Sequence, residues 1–387
     1  VSTPLLDNPA LAPVLRALPN ARLVGGCVRD MLANHPVADI DLATPETPDQ
    51  ILAAVEAAGL RALPTGLAHG TITALSAGRG FEITTLRRDV RTDGRHAQVA
   101  WTQDWREDAA RRDFTINAMS LDQAGTLHDY FGGATDLAEG RVRFVGDAAV
   151  RIAEDYLRIL RFFRFFARYG RGAPDAEAVH AIARSTDGLA RLSPERIWSE
   201  LKRILSIPDP MQAIVLMQQL GVLPAVLPEA TDAARLGRVI AAAVPPDPIL
   251  RLAALTGEAS GAEALAARLR FSTAESDRLL ALLRGPIPPN AADDATLRRL
   301  LADEPAPILA GRLILAGAPA ALRERLLALK PPTFPLAGRD VLALGLPAGP
   351  AVGDMLVQVR RWWLDGGCLA GHDACLEQLR RIVAQAE

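Results

Sequence analysis

Leu23-Val-Gly-Gly-Cys-Val-Arg-Asp30, followed by Asp39-Ile-Asp41, decides the reading of this chain. An apolar edge, Arg22-Leu23-Val24, runs straight into Gly25-Gly26 and then into a helix. Bare backbone N–H groups at such a turn let a phosphate approach, because no side chain obstructs it. A Gly-Gly alone also fits an ordinary tight turn. The acidic pair that follows changes this. Two carboxylates spaced by two on a strand emerge on one face, a few ångströms apart, and like charges held so close call for a cation. Oxygen-only ligation suits Mg²⁺, and two such ions can bind both the attacking and the leaving oxygens of a phosphoryl displacement. Asp39 and Asp41 are therefore the candidate metal ligands, with Glu82 on a later strand as a third carboxylate.

Outward from this core, residues 20–145 alternate strand-like and helical runs. Ile40–Ala43, Thr71–Ser76 and Phe81–Leu86 read as strands, and Thr47–Gly59 reads as a helix opened by Thr47-Pro48 and closed by glycine. From about residue 146 strand signals cease. Ala/Leu/Arg helices follow, broken at Gly170–Pro174, Ile207–Pro210, Pro245–Pro248, Gly285–Pro289 and Lys330–Pro335. An α+β fold is expected, with a mixed-sheet head at 1–145 and an all-helical neck (146–206), body (207–330) and tail (331–387).

Two further strings carry chemistry. In Arg111-Arg-Asp-Phe-Thr-Ile-Asn-Ala-Met119 the arginines can hold a triphosphate, Asp113 is expected to cap a helix, and Phe114, Ile116 and Met119 to pack inward. In Glu154-Asp-Tyr-Leu-Arg-Ile-Leu-Arg-Phe-Phe-Arg-Phe-Phe-Ala-Arg168, helical periodicity puts Ile152, Tyr156, Ile159, Leu160, Phe163 and Phe166 on a core stripe. It sets Asp155, Arg158, Arg161, Arg164 and Arg168 opposite, with Phe162 and Phe165 among them. Phenylalanine interleaved with four arginines fits a covered, polyanion-facing surface better than a solvated one.

Composition bounds the rest. The 387 residues are 49% hydrophobic and 23% charged, with a net charge of −2, which fits a globular chain of several folding units and excludes a disordered one. Of 43 basic residues only Lys202 and Lys330 are lysine. Arginine favours bidentate phosphate and base recognition, although coding bias produces the same excess. Cys27, Cys368 and Cys375 show no CxxC spacing, and the six histidines are scattered, so neither a disulfide framework nor a zinc site is indicated. His372-Asp373 reads as an exposed histidine. Trp362-Trp363 offers stacking surface, with helix packing expected for at least one ring. No apolar run approaches the ~18 residues that span a bilayer, and the N-terminus lacks signal-peptide features, so a cytoplasmic location is expected. No protein partner is indicated.

In their order, GGCVRD, DID, RRDFTINAM and EDYLRILRFFRF resemble the class II tRNA nucleotidyltransferase and bacterial poly(A) polymerase family, within the DNA polymerase β superfamily. The best motifs cover 22–170. Ser193-Pro-Glu-Arg-Ile197 with Glu200 extends them, and Phe334–Gly345 with Gly349–Gly353 resembles the tail of longer members. The resemblance implies a head, neck, body and RNA-binding tail, and untemplated addition of C, C and A to the 3′ end of tRNA from CTP and ATP with Mg²⁺. Partial CC or A addition, poly(A) synthesis and a non-catalytic RNA-binding module are the alternatives. By residue, it implies that Asp39 and Asp41 bind the catalytic metal, and that Gly25, Gly26 and Arg29 contact the nucleotide. Arg112 would hold its phosphates, Asp113 and Asn117 would fix ribose or local geometry, and Asp155, Arg158, Arg161 and Arg164 would complete the pocket. The polar stretch Arg87–Val99, with its Asp93-Gly-Arg95 core, resembles the flexible loop used in switching from C to A addition.

Overall fold

In the computed structural model, which describes residues 5–67, 70–92, 97–257 and 260–386, the chain forms two compact units, Val1–Pro228 and Glu229–Glu387. The first opens with nine strands: β1 (Arg22–Val24), β2 (Asp41–Thr44), β3 (Arg61–Gly66), β4 (Thr71–Ser76), β5 (Arg79–Thr85), β6 (Arg87–Thr92), β7 (Ala97–Trp101), β8 (Ser120–Leu121) and β9 (Leu127–His128). Seven make one mixed sheet in the order β3-β4-β5-β2-β1-β8-β9, in which only β2 and β5 run parallel. The remaining two, β6 and β7, form a separate antiparallel hairpin. The stretch Arg87–Val99, expected as a polar loop, is thus largely the paired strands β6 and β7, while its Asp93-Gly-Arg95 core lies outside the described residues.

Alternation explains the sheet. In β4, Ile72, Ala74 and Ser76 point inward, and in β5 Phe81, Ile83 and Thr85 do so, which is the period-two pattern of a sheet with one face covered. The cover includes α1 (Ala12–Ala17), α2 (Gly26–Leu32) and α3 (Pro48–Ala57). As its sequence signals require, α3 starts with a Thr47/Gln50 capping box and is followed by Gly59 at φ +75°. Next come α4 (Trp105–Ala110), α5 (Gly133–Glu139), α6 (Ala148–Glu154), α7 (Leu157–Tyr169), α8 (Ala176–Ala183) and α9 (Pro194–Leu205).

Three expectations need correction here. Asp39 precedes β2, which starts at Asp41, so the pair sits at a strand entrance and not within a strand. Arg111–Met119 is no α-helix: only Thr115–Asn117 forms a 3₁₀ turn, because Asp113 uses its carboxylate on the Phe114 N–H and the Asn117 side chain. The long arginine helix is broken. Asp155, at φ −156° and ψ 106°, is extended backbone between α6 and α7, so Ile152 and Ile159 reach the core from separate helices.

Phe162 and Phe165, placed by periodicity among the charges, are both buried. Phe162 stacks on Phe144 and Phe166, and Phe114 packs on Phe144 at 4.7 Å, so one aromatic cluster joins α7 to the turn before Asn117. Burying rings of this size is the dominant stabilisation at this seam.

The second unit is helical throughout its described residues. One core gathers Leu297, Leu301, Leu309, Leu313, Leu322 and Leu326. Another gathers Leu336, Val341, Val359, Trp363, Cys375 and Leu379. Trp363 is buried edge-on against Phe334 with its indole N–H on the Ala370 carbonyl, whereas Trp362 is partly exposed. His372 is half-exposed beside Asp340. All three cysteines are free and buried, and burial pushes the Cys27 thiol up to about 11, which keeps it protonated and unreactive.

Candidate active site

A cavity of about 520 Å³ opens in the first unit. Every residue proposed from sequence for nucleotide binding lines it: Gly25, Gly26, Arg29, Arg112, Asp113, Asn117, Asp155, Arg158, Arg161 and Arg164, together with Asp41. Asp39 lies at its acidic margin, close enough to raise the pKa of Asp41.

At one edge stand the carboxylates. Asp41 is in register with Glu82 across the parallel β2–β5 pair. Partial desolvation raises its pKa above the ordinary carboxylate value. The negative charges of Glu82 and Asp39 add to this, and only the Arg112 guanidinium opposes them. Among the described residues, none of the three makes an ion pair. Nor do the described residues hold a cluster of three or more Asp, Glu, His or Cys that could cage a metal. This donor set fits a hard divalent cation that takes one or two carboxylates from the protein and keeps its remaining positions for water and phosphate. It does not fit a closed structural site.

Glycine is required beside this edge. Gly25 has φ +70°, and a Cβ there would sit 2.8 Å from the Arg112 guanidinium. Any side chain at this position would be strained and would displace an arginine from the cavity. Both arginines of the Arg111-Arg112 pair are anchored by Asp108, a residue that motif reading had not singled out. It is buried and accepts from Arg111 at 2.9 Å and Arg112 at 3.3 Å. Burial pushes the Asp108 carboxyl up, but the two guanidiniums outweigh it and hold the pKa below the usual range.

The opposite wall is a continuous chain of paired charges. Arg29 grips Asp30 through two bonds of 3.0–3.1 Å and donates to Asn117 Oδ1. Asn117 Nδ2 donates to Asp113 at 2.9 Å, and Arg161 Nε donates to the other oxygen of Asp113 at 2.6 Å. Burial alone would raise the Asp113 pKa, yet Arg161 and Asn117 bring it below the ordinary value. Phe165 lies beneath three guanidiniums, those of Arg29, Arg161 and Arg164, at 5.0, 5.5 and 4.3 Å. The interleaved phenylalanine therefore forms the apolar floor of an arginine-lined pocket.

Asp155 and Arg158 line the same cavity with different partners. Asp155 accepts from the Leu157 N–H at 3.1 Å and from Arg196 Nη2 at 2.7 Å. Arg158 binds Glu154 and the Arg151 carbonyl. Arg164 pairs with buried Glu200 at 2.8 Å. Arg196, Leu157 and Phe165 line the cavity although sequence reading gave them no site role. Arg196 and Glu200 stand four apart in Ser193–Glu200, so their spacing places them on one face of α9, and that signal was available.

Comparisons with known proteins converge on one family. The family described as "Poly A polymerase head domain" matches residues 21–143, and "Probable RNA and SrmB- binding site of polymerase A" matches 173–234. A CCA tRNA nucleotidyltransferase from Mus musculus, named as mitochondrial, is 39% identical over 93% of this chain and 86% of its own length. The CCA-adding enzyme of Leuconostoc citreum is 42% identical over 51% of this chain and 48% of its own. The crystal structure of the Bacillus stearothermophilus CCA-adding enzyme in complex with CTP superposes with a TM-score of 0.75. It is 25% identical, over 98% of this chain and 99% of that one.

Proposed function

This chain belongs to the CCA-adding tRNA nucleotidyltransferases, and from that premise we propose which of its residues carry the reaction. The protein adds C, C and A to the 3′ end of tRNA from CTP and ATP, without a nucleic-acid template, and releases pyrophosphate. One observation supports the assignment of roles above all: a single cavity is lined both by Asp41, whose carboxylate neighbours are Asp39 and Glu82, and by arginines that already have carboxylate partners.

The family uses a divalent metal. We assign Mg²⁺ to Asp39 and Asp41, with Glu82 alongside. When bound there, the ion supplies Lewis acidity, lowering the pKa of the RNA 3′-hydroxyl and offsetting charge on the triphosphate. The protein's own groups do the rest. Gly25 and Gly26 leave backbone bare for the triphosphate, and Arg112, steadied by Asp108, binds its oxygens bidentately. Arg29, Asn117, Asp113 and Arg161 act as a preformed frame that need not reorganise when substrate enters. No nucleophilic side chain is needed, since the RNA hydroxyl attacks the α-phosphate.

Base choice follows from edge chemistry. Cytosine and adenine both present an exocyclic amine beside a ring-nitrogen acceptor, whereas uracil and guanine present a carbonyl beside a ring N–H. An Asp acceptor next to an Arg donor selects the first pair. Asp155 and Arg158 supply those groups, with Arg164 completing the wall. Asp155 keeps acceptor capacity beyond its two protein bonds, because an ionised carboxylate has about four lone-pair sites.

We propose a division into head 1–145, neck 146–206, body 207–330 and an RNA-binding tail 331–387, of which the body spans the boundary after Pro228 between the two compact units. Among the described residues no helix is long and apolar enough to cross a membrane. The proposed compartment is the cytoplasm, which fractionation would test given that the Mus musculus relative is named as mitochondrial.

The test is to incubate the protein with tRNA ending before its CCA and to size the products. CTP alone should add two residues, CTP with ATP three, and UTP or GTP none. Long A tracts on a homopolymer RNA would replace this reading with poly(A) synthesis.

A further inference from the structure

Asp155 must point into the cavity, yet it stands outside both flanking helices, at a kink formed only by itself and Tyr156. The capping bond to the Leu157 N–H fixes one carboxylate oxygen, and Arg196 reaches the other from α9. Something must also fix the backbone of the kink, and the structure provides it on the side away from the cavity. The Tyr156 ring packs against Gly188, so tightly that a Cβ at Gly188 would lie 1.9 Å from its Cε1 and 2.0 Å from its Cδ1. The Arg191 guanidinium covers the same ring at 5.4 Å. Gly188 and Arg191 belong to one 3₁₀ segment, Thr186–Arg191, which is anchored by buried Leu189 and packs on the helix Val222–Val226. That segment contributes no residue to the cavity lining.

We infer that Tyr156 and the bare Cα of Gly188 form a matched contact that sets the direction of the Asp155 carboxylate, making Thr186–Arg191 a remote determinant of base choice. The inference rests on the reading of Asp155 as a base-reading acceptor. Tyr156 and Gly188 are positioning residues: neither touches the nucleotide, and each acts through the kink. Glycine at 188 is needed for closeness of approach and not for an unusual backbone, since its φ is not positive. Packed interiors transmit such contacts because they cannot absorb a displaced ring.

The experiment measures kcat/KM for all four nucleotides on tRNA awaiting C and on tRNA awaiting A. It compares the native chain with Tyr156→Leu, Gly188→Ala, Asp155→Ala and the Tyr156→Leu/Asp155→Ala pair. Tyr156→Leu and Gly188→Ala should each raise use of UTP and GTP relative to CTP and ATP by about tenfold, the low end of what weakening one buried hydrogen bond gives. Asp155→Ala should exceed both, and adding Tyr156→Leu to it should change nothing further. Tyr156→Leu inserts no extra atoms, so the inference stays testable even if Gly188→Ala does not fold. Lost discrimination in Asp155→Ala with native discrimination in a folded Tyr156→Leu protein would overturn the inference and leave the base-reading role standing. Native discrimination in Asp155→Ala would overturn that role and the inference with it. Additive effects in the pair would show that Tyr156 does not act through Asp155.

Discussion

The two sides of the cavity solve opposite electrostatic problems. On the acidic edge Asp39, Asp41 and Glu82 have no ion-pair partner among the described residues, and partial burial, with the neighbouring carboxylates added to it, raises the pKa of Asp41. On the arginine wall each carboxylate already has its guanidinium: Asp113 has Arg161, Asp108 has Arg111 and Arg112, and Asp155 has Arg196. An edge of like charges is electrostatically complementary to a cation, whereas a wall whose charges are paired holds its shape in advance. Substitution on the first should therefore abolish addition with the fold intact, whereas substitution on the second should cost stability as well as nucleotide binding.

The largest effect separates these roles. Asp41→Ala or Asp39→Ala should reduce nucleotide addition by roughly 10³-fold or more, while exposed, unpaired side chains cost little stability on removal, on the order of 0.5 kcal/mol. Single-turnover addition and a thermal melt on the same preparations check both halves. Asp113→Ala should do the reverse on the melt. It strands Arg161 and Asn117 in a buried site, and breaking such a pair costs about 3–5 kcal/mol.

Acid should also tell the sides apart. Asp108 and Asp113 have folded-state pKa values below the ordinary 3.8, so their contribution is complete above that value and is lost as pH falls toward the folded one. Asp41, raised in the folded state, has the opposite sign: its ionisation weakens the fold as pH rises through its folded pKa. Urea midpoints at pH 7 and at about pH 2.5, below the ordinary carboxylate value, should show Asp108→Asn less stable at pH 7 but less acid-sensitive, and Asp41→Asn slightly more stable than the native chain at pH 7. The smallest effect is expected for Glu82→Gln, a few-fold loss of addition rate, in keeping with a carboxylate beside the metal and not essential to it.

Much of this was legible because short-range chemistry dominates where the motifs lie. The Gly25-Gly26 turn and the Thr47 cap are local signals, and each sits where its residues demand, whereas of the Asp39/Asp41 pair only Asp41 lies in a strand. What periodicity missed were places where side chains overrode helix geometry. Asp155 spends its carboxylate on the Leu157 N–H and Arg196, which ends α6 and restarts the chain as α7, and a 100°-per-residue projection passes straight through such a break. Asp113 likewise binds Phe114 N–H and Asn117 in place of capping an α-helix. Phe165 falls by angle among the arginines, where a covered surface is expected, and three guanidiniums and the aromatic cluster enclose it. Asp108 was missed because a lone acid in a short helix carries no pattern; only tertiary packing joins it to both arginines.

The central claim is that the unpaired edge, and not the paired wall, receives the divalent cation. Mn²⁺ is a direct probe, because its free ion can be counted by electron paramagnetic resonance as protein is titrated. Without nucleotide, which would itself chelate the ion, the native chain and Asp155→Ala should bind Mn²⁺ alike, and the Asp39→Ala/Asp41→Ala protein, folded by its melt, should bind none at the same concentrations. Native-like Mn²⁺ binding by that double variant would contradict the account.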